Sequence, residues 1–408
     1  MLFYLKFLTT LWGPFRIMGS HLVLTCFGVL LAALVVWLFL PKYWHSLPHD
    51  RGKAYVKDSA LSRGKPTGAG YLILLLVFPI LLLVLPLAGP GVDATRTFST
   101  FFAQTCHLLA RPASWHQLIN SQWGVVGCLF AAMLSGFLDD KAEKPWGRLR
   151  KGLLDAAIAL VTAFFLCRGH ATEIWLPFWK DPVIITWWAY LLIAAPVLWL
   201  TMNATNCSDG VDGLAGSLTL ISLFALAMLL YGVVGHETVA QYLLVPHNPE
   251  GARWAILTAT IGGGVAGYLW YNAEPSKVLM GDAGSRFLGL LVGVAVLACG
   301  NPFLVLVVAP IVLINGGTGL LKILLLKTLT KLGFETANPR LKNQTSPDPL
   351  PPDRHPCWLA RQLHKTRFPL HDHCRHNLQW TNAQVLMRFV LIQALAMPIL
   401  FIILVKIR

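Results

Sequence analysis

Residues 71–88 read YLILLLVFPILLLVLPLA, a stretch without one charged side chain. About 20 apolar residues span the hydrocarbon core of a bilayer as a helix. The helix is obligatory, because lipid offers no partners to exposed backbone N–H and C=O groups. Residues 21–41 and 183–202 have the same character. The whole chain agrees: 55% of its 408 residues are hydrophobic and 13% are charged, against about 25% charged in soluble domains.

Working outward, ten apolar intervals are predicted as spans: 21–41, 71–88, 123–138, 152–167, 183–202, 213–234, 252–270, 285–299, 302–327 and 385–405. The fold class expected is therefore an all-α integral membrane protein of about ten transmembrane helices. It forms one polytopic domain over 1–408, with no separate soluble domain. The N-terminus lacks a basic region followed by a short apolar core and a cleavage site. The interval 21–41 is accordingly expected to be a retained span and not a removed signal.

The formal net charge is +14. In a soluble protein that would suggest nucleic acid. Here the basic residues sit between apolar runs, which argues for membrane orientation and anionic partners and against nucleic acid. Ten spans place both termini on one side, and the odd-numbered loops 42–70, 139–151, 203–212, 271–284 and 328–384 on the other. Those loops hold about 20 of the 33 Lys and Arg, and the remaining loops and termini about 8, so the odd loops are predicted to be cytoplasmic. The eight Cys form no CxxC pair and are read as packing residues.

The polar clusters fall in the same odd loops. Asp139-Asp140 closes the third span and is followed by Lys141, Lys144, Arg148, Arg150 and Lys151. Paired carboxylates at a membrane boundary are costly to place. They fit a metal or general-base role beside phosphate-holding cations, or a solvated helix end. Residues 203–214 pack Asn203, Asn206, Ser208, Asp209 and Asp212 with two Gly. These are oxygen ligands for a hard cation or partners for a polar ligand, although the acidic set is too small for a calcium loop. Asn272 precedes Met280-Gly281-Asp282-Ala283-Gly284-Ser285-Arg286, which suits phosphate at a helix start or a plain helix cap. Five of the 13 His lie within 355–376, among them His371 and His373. They suit phosphate contact or proton transfer, and with Cys357 and Cys374 they match no standard zinc spacing. Together the clusters describe phosphoryl transfer at a membrane surface, with Mg²⁺ held by carboxylates and substrate phosphates.

The order GFLDD (136–140), LPFWKD (176–181), NATNCSDGVDGLAG (203–216), GYLWYNAEPSKVLMGDAGS (267–285) and PLHDH (369–373), with SRGKPTGAG at 62–70, resembles the phospho-N-acetylmuramoyl-pentapeptide transferase family over nearly the whole chain. The resemblance implies ten helices with both termini outside and a cytoplasmic active site in the bacterial inner membrane. It also implies Mg²⁺ dependence and transfer of phospho-MurNAc-pentapeptide from UDP to undecaprenyl phosphate, giving lipid I and UMP in cell-wall synthesis.

It implies roles for particular residues as well. Asp139 and Asp140 engage or deprotonate the lipid phosphate, Asp282 binds Mg²⁺, and His371 is the first His of a three-His motif. Asn206, Asp209, Asp212 and Asn272 line the nucleotide site, Thr67 contacts the uridine side, and Lys151 opens the fourth span. Asn203 and His373 are placed with the substrate-binding residues. The implied partners are a UDP-sugar, a polyprenyl phosphate, the membrane and a second copy in a homodimer.

The sequence departs from the family pattern at several positions. Asp372 stands for the middle His, Leu279 for the Phe that packs on uracil, and Ser62 for a Lys near Lys65. Asn315 and Lys322 stand for a Glu and a Gln. The competing expectations are a related transferase using UDP-N-acetylglucosamine or another UDP-sugar, a transporter or channel, and a lipid-binding member without catalysis. Clusters confined to one face disfavour the transporter, whose sites usually lie at mid-bilayer.

Overall fold

In the computed structural model every one of the ten apolar intervals contains a helix. The structure describes residues 2–9, 13–50, 63–86, 121–143, 146–177, 179, 181–334, 336 and 357–404. Ser62, Lys144, Lys180, the stretch 87–120 and the Pro-rich run 346–356 lie outside the described residues, as does the side chain of Arg148.

The helices that build the bundle are α1 (His21–Tyr43), α2 (Ala69–Val84), α3 (Ser121–Lys141), α4 (Arg148–Cys167), α5 (Trp187–Ser208), α6 (Leu214–Leu229), α7 (Gly251–Asn272), α8 (Gly281–Ala298) and α9 (Thr318–Lys331). After them come α10 (Trp358–Lys365), α11 (Leu370–Asn377), α12 (Asn382–Ala396) and α13 (Ile399–Leu404). Among the described residues, six helical stretches are long and apolar enough to cross a membrane: His21–Ser46, Ser121–Lys141, Trp187–Ser208, Leu214–Val234, Gly281–Ala298 and Pro310–Lys331. α2 and α12 are apolar but shorter. α7 is long, yet other helices bury it along nearly its whole length. A helix that does not face lipid has no need of a lipophilic surface.

Two intervals differ from expectation. The interval 183–202 begins as a strand. Val183–Ile185 pairs antiparallel with Thr172–Ile174, and the helix starts only at Trp187. Three β-branched residues directly after Pro182 favour the extended chain, so the fold is helical with one small ribbon. The interval 302–327 is broken. Pro310 cannot donate to a preceding turn, and residues Leu313–Gly317 widen into a π-turn that carries Asn315 into the interior.

α8 is the centre of the bundle, with almost every residue buried, and it packs against α2, α3, α5 and α6. Its first turn sits at a crossing that tolerates no side-chain carbon. A Cβ on Gly70 of α2 would overlap the Gly284 backbone of α8. At φ +70°, Gly281 adopts a left-handed conformation that favours glycine, and it lies against Asp140 and Gly68.

Gly70→Ala should therefore cost about 1–3 kcal/mol through overpacking, read as a lower thermal unfolding midpoint in detergent. Gly152→Ala, where the added carbon meets nothing within 4 Å, should leave the midpoint equal or higher.

Candidate active site

Asp140 lies in the last turn of α3 and caps the first turn of α8. Its Oδ1 accepts the Asp282 N–H at 3.0 Å, and its Oδ2 accepts the Ala283 N–H at 3.0 Å. The first N–H groups of a helix have no partner within the helix, and a carboxylate there also meets the positive end of the helix dipole. Asp140 thus ties the end of one helix to the start of another. The cap sets Asp282 beside Asp139.

Around Asp282 lies a buried charge network. Asp139 accepts the Trp146 N–H at 2.8 Å through Oδ1, while its Oδ2 pairs with Lys151 and stands 3.9 Å from Arg286. Lys151 Nζ reaches Asp282 Oδ2 at 3.1 Å, and Arg286 reaches the same oxygen at 3.4 Å. The other arm of Arg286 contacts Asp155 Oδ1 at 3.1 Å and Ser135 Oγ at 2.9 Å. Arg286 and Asp155 are each 2% exposed. Three carboxylates thus meet two cations, and Asp140 faces backbone N–H groups.

No group of three or more His, Cys, Asp or Glu side chains among the described residues forms a metal cage. Mg²⁺ asks for less, since it usually binds through one or two carboxylates plus substrate phosphates. Both cation contacts to Asp282 use Oδ2, and its side chain is 20% exposed. The donor set fits an ion that takes a single protein carboxylate and completes its shell with phosphate.

The Asn/Asp loop joins α5 to α6 and is locked from α7 and the segment after it. Asn272 accepts the Gly213 N–H at 2.8 Å and donates to the Val278 carbonyl at 2.9 Å. Both ends of its buried amide are thus engaged in holding the loop. Asp212 accepts the Ser276 N–H at 3.1 Å and stands 3.7 Å from Lys65, whose Nζ also reaches Ser276 Oγ at 3.0 Å. Asn206 donates to Ser285 Oγ on α8 at 3.2 Å, and Asn203 to the Trp199 carbonyl on its own helix at 2.9 Å. Asp209 terminates α5.

Thr67 is half-buried beside Leu279, because residues 66–70 run along 279–280. The Leu279 N–H donates to the Pro66 carbonyl at 2.8 Å, and the Ala69 N–H to the Leu279 carbonyl at 3.0 Å. Tyr271 is engaged by α1 and the turn that follows it. Its hydroxyl donates to the Trp37 carbonyl at 2.8 Å, and its ring packs edge-on to Trp44.

His371 opens α11 and is buried against the Asn/Asp loop, so close that a Cβ on Gly210 would collide with its Nε2. Burial pushes its pKa down to about 4, Arg375 adds to the shift and Asp372 opposes it. Two departures from the family pattern are neighbours here: Asn315 and Asp372 flank opposite edges of the His371 ring. His373 is not drawn into the cluster, and its Nδ1 accepts the Arg367 N–H at 3.4 Å on the exposed side.

The structure thus joins Asp139, Asp140, Lys151 and Asp282 directly. It links Asn206 to them through Ser285, and it joins Lys65, Asp212 and Asn272 through the 272–276 segment. Asp155 and Arg286 were not among the expected site residues. The signal for Asp155 was present: a carboxylate inside an apolar interval demands a partner.

Comparison with known proteins supports the same assignment. The model of the family described as "Glycosyl transferase family 4" matches residues 122–300. A phospho-N-acetylmuramoyl-pentapeptide-transferase of Treponema pallidum (strain Nichols) is 39% identical over 401 residues, 97% of this chain and 93% of the relative. This chain belongs to the phospho-N-acetylmuramoyl-pentapeptide-transferase family. Proteins of the same name from Nautilia profundicola and Helicobacter hepaticus are 31% identical over 216 residues and 33% over 180. The first alignment covers 50% of this chain and 60% of the relative, the second 42% and 50%.

Two measurements probe the geometry. Arg286→Leu leaves Asp155 buried without its cation and should cost about 3–5 kcal/mol, whereas Asp155→Leu/Arg286→Leu should recover most of that. Thermal unfolding of the two variants checks the pair. His371 stays neutral in the folded chain down to about pH 4, while an unfolded His takes up a proton near 6.5. Its neutral burial is therefore fully tolerated above about pH 6.5, and stability falls by up to about 3 kcal/mol as pH drops towards 4. His371→Gln should flatten that part of a stability–pH curve.

Proposed function

We propose that this chain transfers phospho-N-acetylmuramoyl-pentapeptide from its UDP conjugate to undecaprenyl phosphate, releasing UMP and forming lipid I in cell-wall synthesis. The observation that carries this reading is the 39% identity over 97% of the chain to a transferase of that name. The Asp139–Lys151–Asp282 cluster supplies the chemistry.

An oxygen of the lipid phosphate forms a bond to the sugar-side phosphorus, and the bond from that phosphorus to the UMP oxygen breaks. Lys151 stands at the edge of the cluster, half-exposed, where it offers positive charge to the transferring phosphate. Asp139 holds that ammonium in place. Asp209, Asp212 and Asn206 line the loop proposed for the nucleotide, with Lys65 next to Asp212 for a diphosphate oxygen. Asp282 would hold Mg²⁺, which when bound neutralises charge on the pyrophosphate. Arg286 and Lys151 keep the Asp282 carboxylate ionised and oriented towards that task. Catalysis by such a site is positioning and electrostatics.

The proposed setting is a bacterial plasma membrane, with ten crossings, both termini outside and the cluster on the cytoplasmic face. The Lys and Arg asymmetry of the loops supports that orientation. The dimensions of α8 agree. Its first turn carries the cluster, and its 18 residues rise about 27 Å to the end that meets the Thr172–Ile185 ribbon through Trp175 and Gly300.

The test is UMP release from purified protein with undecaprenyl phosphate and either UDP-MurNAc-pentapeptide or UDP-N-acetylglucosamine. Turnover should require Mg²⁺ and the pentapeptide donor, and preference for the second donor would move the chain to a related transferase. Asp282→Asn should lower turnover by about 100-fold or more while the protein still inserts and folds. Near-normal activity would remove the metal assignment. For orientation, single-cysteine variants on a cysteine-free background suffice. Glu173→Cys should react with an impermeant thiol reagent on intact cells and Lys277→Cys should not. The opposite pattern would invert the topology.

A further inference from the structure

The Asn315 carboxamide meets His371 twice. Its Oδ1 accepts the His371 backbone N–H at 2.8 Å and stands 3.1 Å from His371 Nδ1. The backbone N–H is always a donor, so the atom facing it must be the amide oxygen and not the NH₂. A carbonyl oxygen can only accept. The ring nitrogen 3.1 Å from it must then carry a hydrogen. A neutral imidazole has one N–H, which leaves Nε2 with a bare lone pair. Among the described residues the amide nitrogen of Asn315 is buried without a hydrogen-bond partner, so the hydrogen bonds that orient the amide come from His371.

Nε2 points at the Asn/Asp loop, where Gly210 leaves it room and any side chain at that position would collide with it. The charged groups around the ring are Asp372, whose Oδ1 lies 3.7 Å from Nε2, and Arg375, 3.8 Å from the same oxygen. That Asp372 oxygen is buried and has no hydrogen-bond partner among the described residues. Both atoms on this edge of the ring are acceptors, and Arg375, at 3.8 Å, lies beyond hydrogen-bond reach of the carboxylate oxygen, so the edge can take a donor.

We propose that Asn315 is a positioning residue that fixes His371 as the Nδ1–H tautomer and so presents Nε2 as a hydrogen-bond acceptor to the nucleotide-sugar at the Asp209–Asp212 loop. The inference rests on the transferase reading for its substrate but not for its tautomer. Asp372 stabilises positive charge on the ring whenever Nε2 takes a hydrogen bond or a proton. A residue at position 315 that cannot accept would free the ring to exchange tautomers and to offer N–H where the site needs a lone pair.

The test has an arm that needs no substrate. Nitrogen NMR of ¹⁵N-histidine-labelled protein in detergent at neutral pH, with His371 assigned by its loss in His371→Gln, should show Nδ1 protonated and Nε2 bare. Nε2 protonated in the unmodified protein would overturn the proposal. In the second arm, Asn315→Leu should mix the tautomers and lower kcat/KM for the UDP-sugar about ten-fold or more, mainly through KM, with kcat at saturation within about two-fold. Asn315→Asp retains an oxygen that accepts from both N–H groups and should restore the Nδ1–H tautomer and most of kcat/KM. Unchanged tautomer and kcat/KM in Asn315→Leu would reduce Asn315 to a packing role and overturn the proposal. If Asn315→Leu fails to fold, the unmodified spectrum and the Asp variant decide. If neither donor supports UMP release, the transferase reading fails, while the tautomer arm still returns its own answer.

Discussion

Two backbone N–H groups and one carboxylate organise this molecule. The Asp140 side chain, at the end of α3, closes the open first turn of α8. α8 is the most enclosed helix of the bundle, so whatever fixes its start fixes the bundle's register at that end. An uncapped helix start buried at a crossing would leave several donors without partners, at a cost of about 1–3 kcal/mol each. Glycine at 281 and 70 lets the backbones come close enough for the cap to form. One consequence is chemical. The residue after the αL glycine is Asp282, and the cap turns its side chain towards Asp139 and Lys151.

The charges that gather there are held by counter-charges. Arg286 is almost fully buried and reaches Asp155 with one nitrogen and Asp282 with another. An isolated charge would be expensive in such surroundings, and the network compensates by alternation of sign. Both cations meet the same oxygen of Asp282, Oδ2. On the far side of the Asn/Asp loop, His371 is treated in the opposite way. Burial favours its neutral form, and the neutral amide of Asn315 accepts its backbone N–H.

The apolar intervals were legible because composition alone reports the solvent of a helix surface, and all ten contain helix. Their exact form was not. Val183–Ile185 is as apolar as a span, but a three-residue β-branched run after a proline found a partner at Thr172–Ile174 and became ribbon. Apart from Asp155, which lies inside an interval, the acidic residues of the site were legible from their placement at the ends of apolar runs. Which of them cap, which pair with cations and which remain open to ligand depends on neighbours far away in sequence. Asp140 and Asp139 are adjacent in the chain, yet one meets only N–H groups of α8 and the other meets Lys151 and Arg286.

By itself the sequence determined the solvent, the helical class, the one-sided grouping of polar motifs and the family. Each of these follows from local composition and order, which need no fold to be read. The tertiary structure alone decided that Asp155 and Arg286 belong to the site, that Asn272 is occupied in holding a loop, and that Asn315 and Asp372 address opposite edges of one imidazole. Apart from Asp372, which adjoins His371 in the chain, these are contacts between segments 56 to 131 residues apart. Their energies depend on distance and burial, which packing sets and which no local pattern of residues encodes.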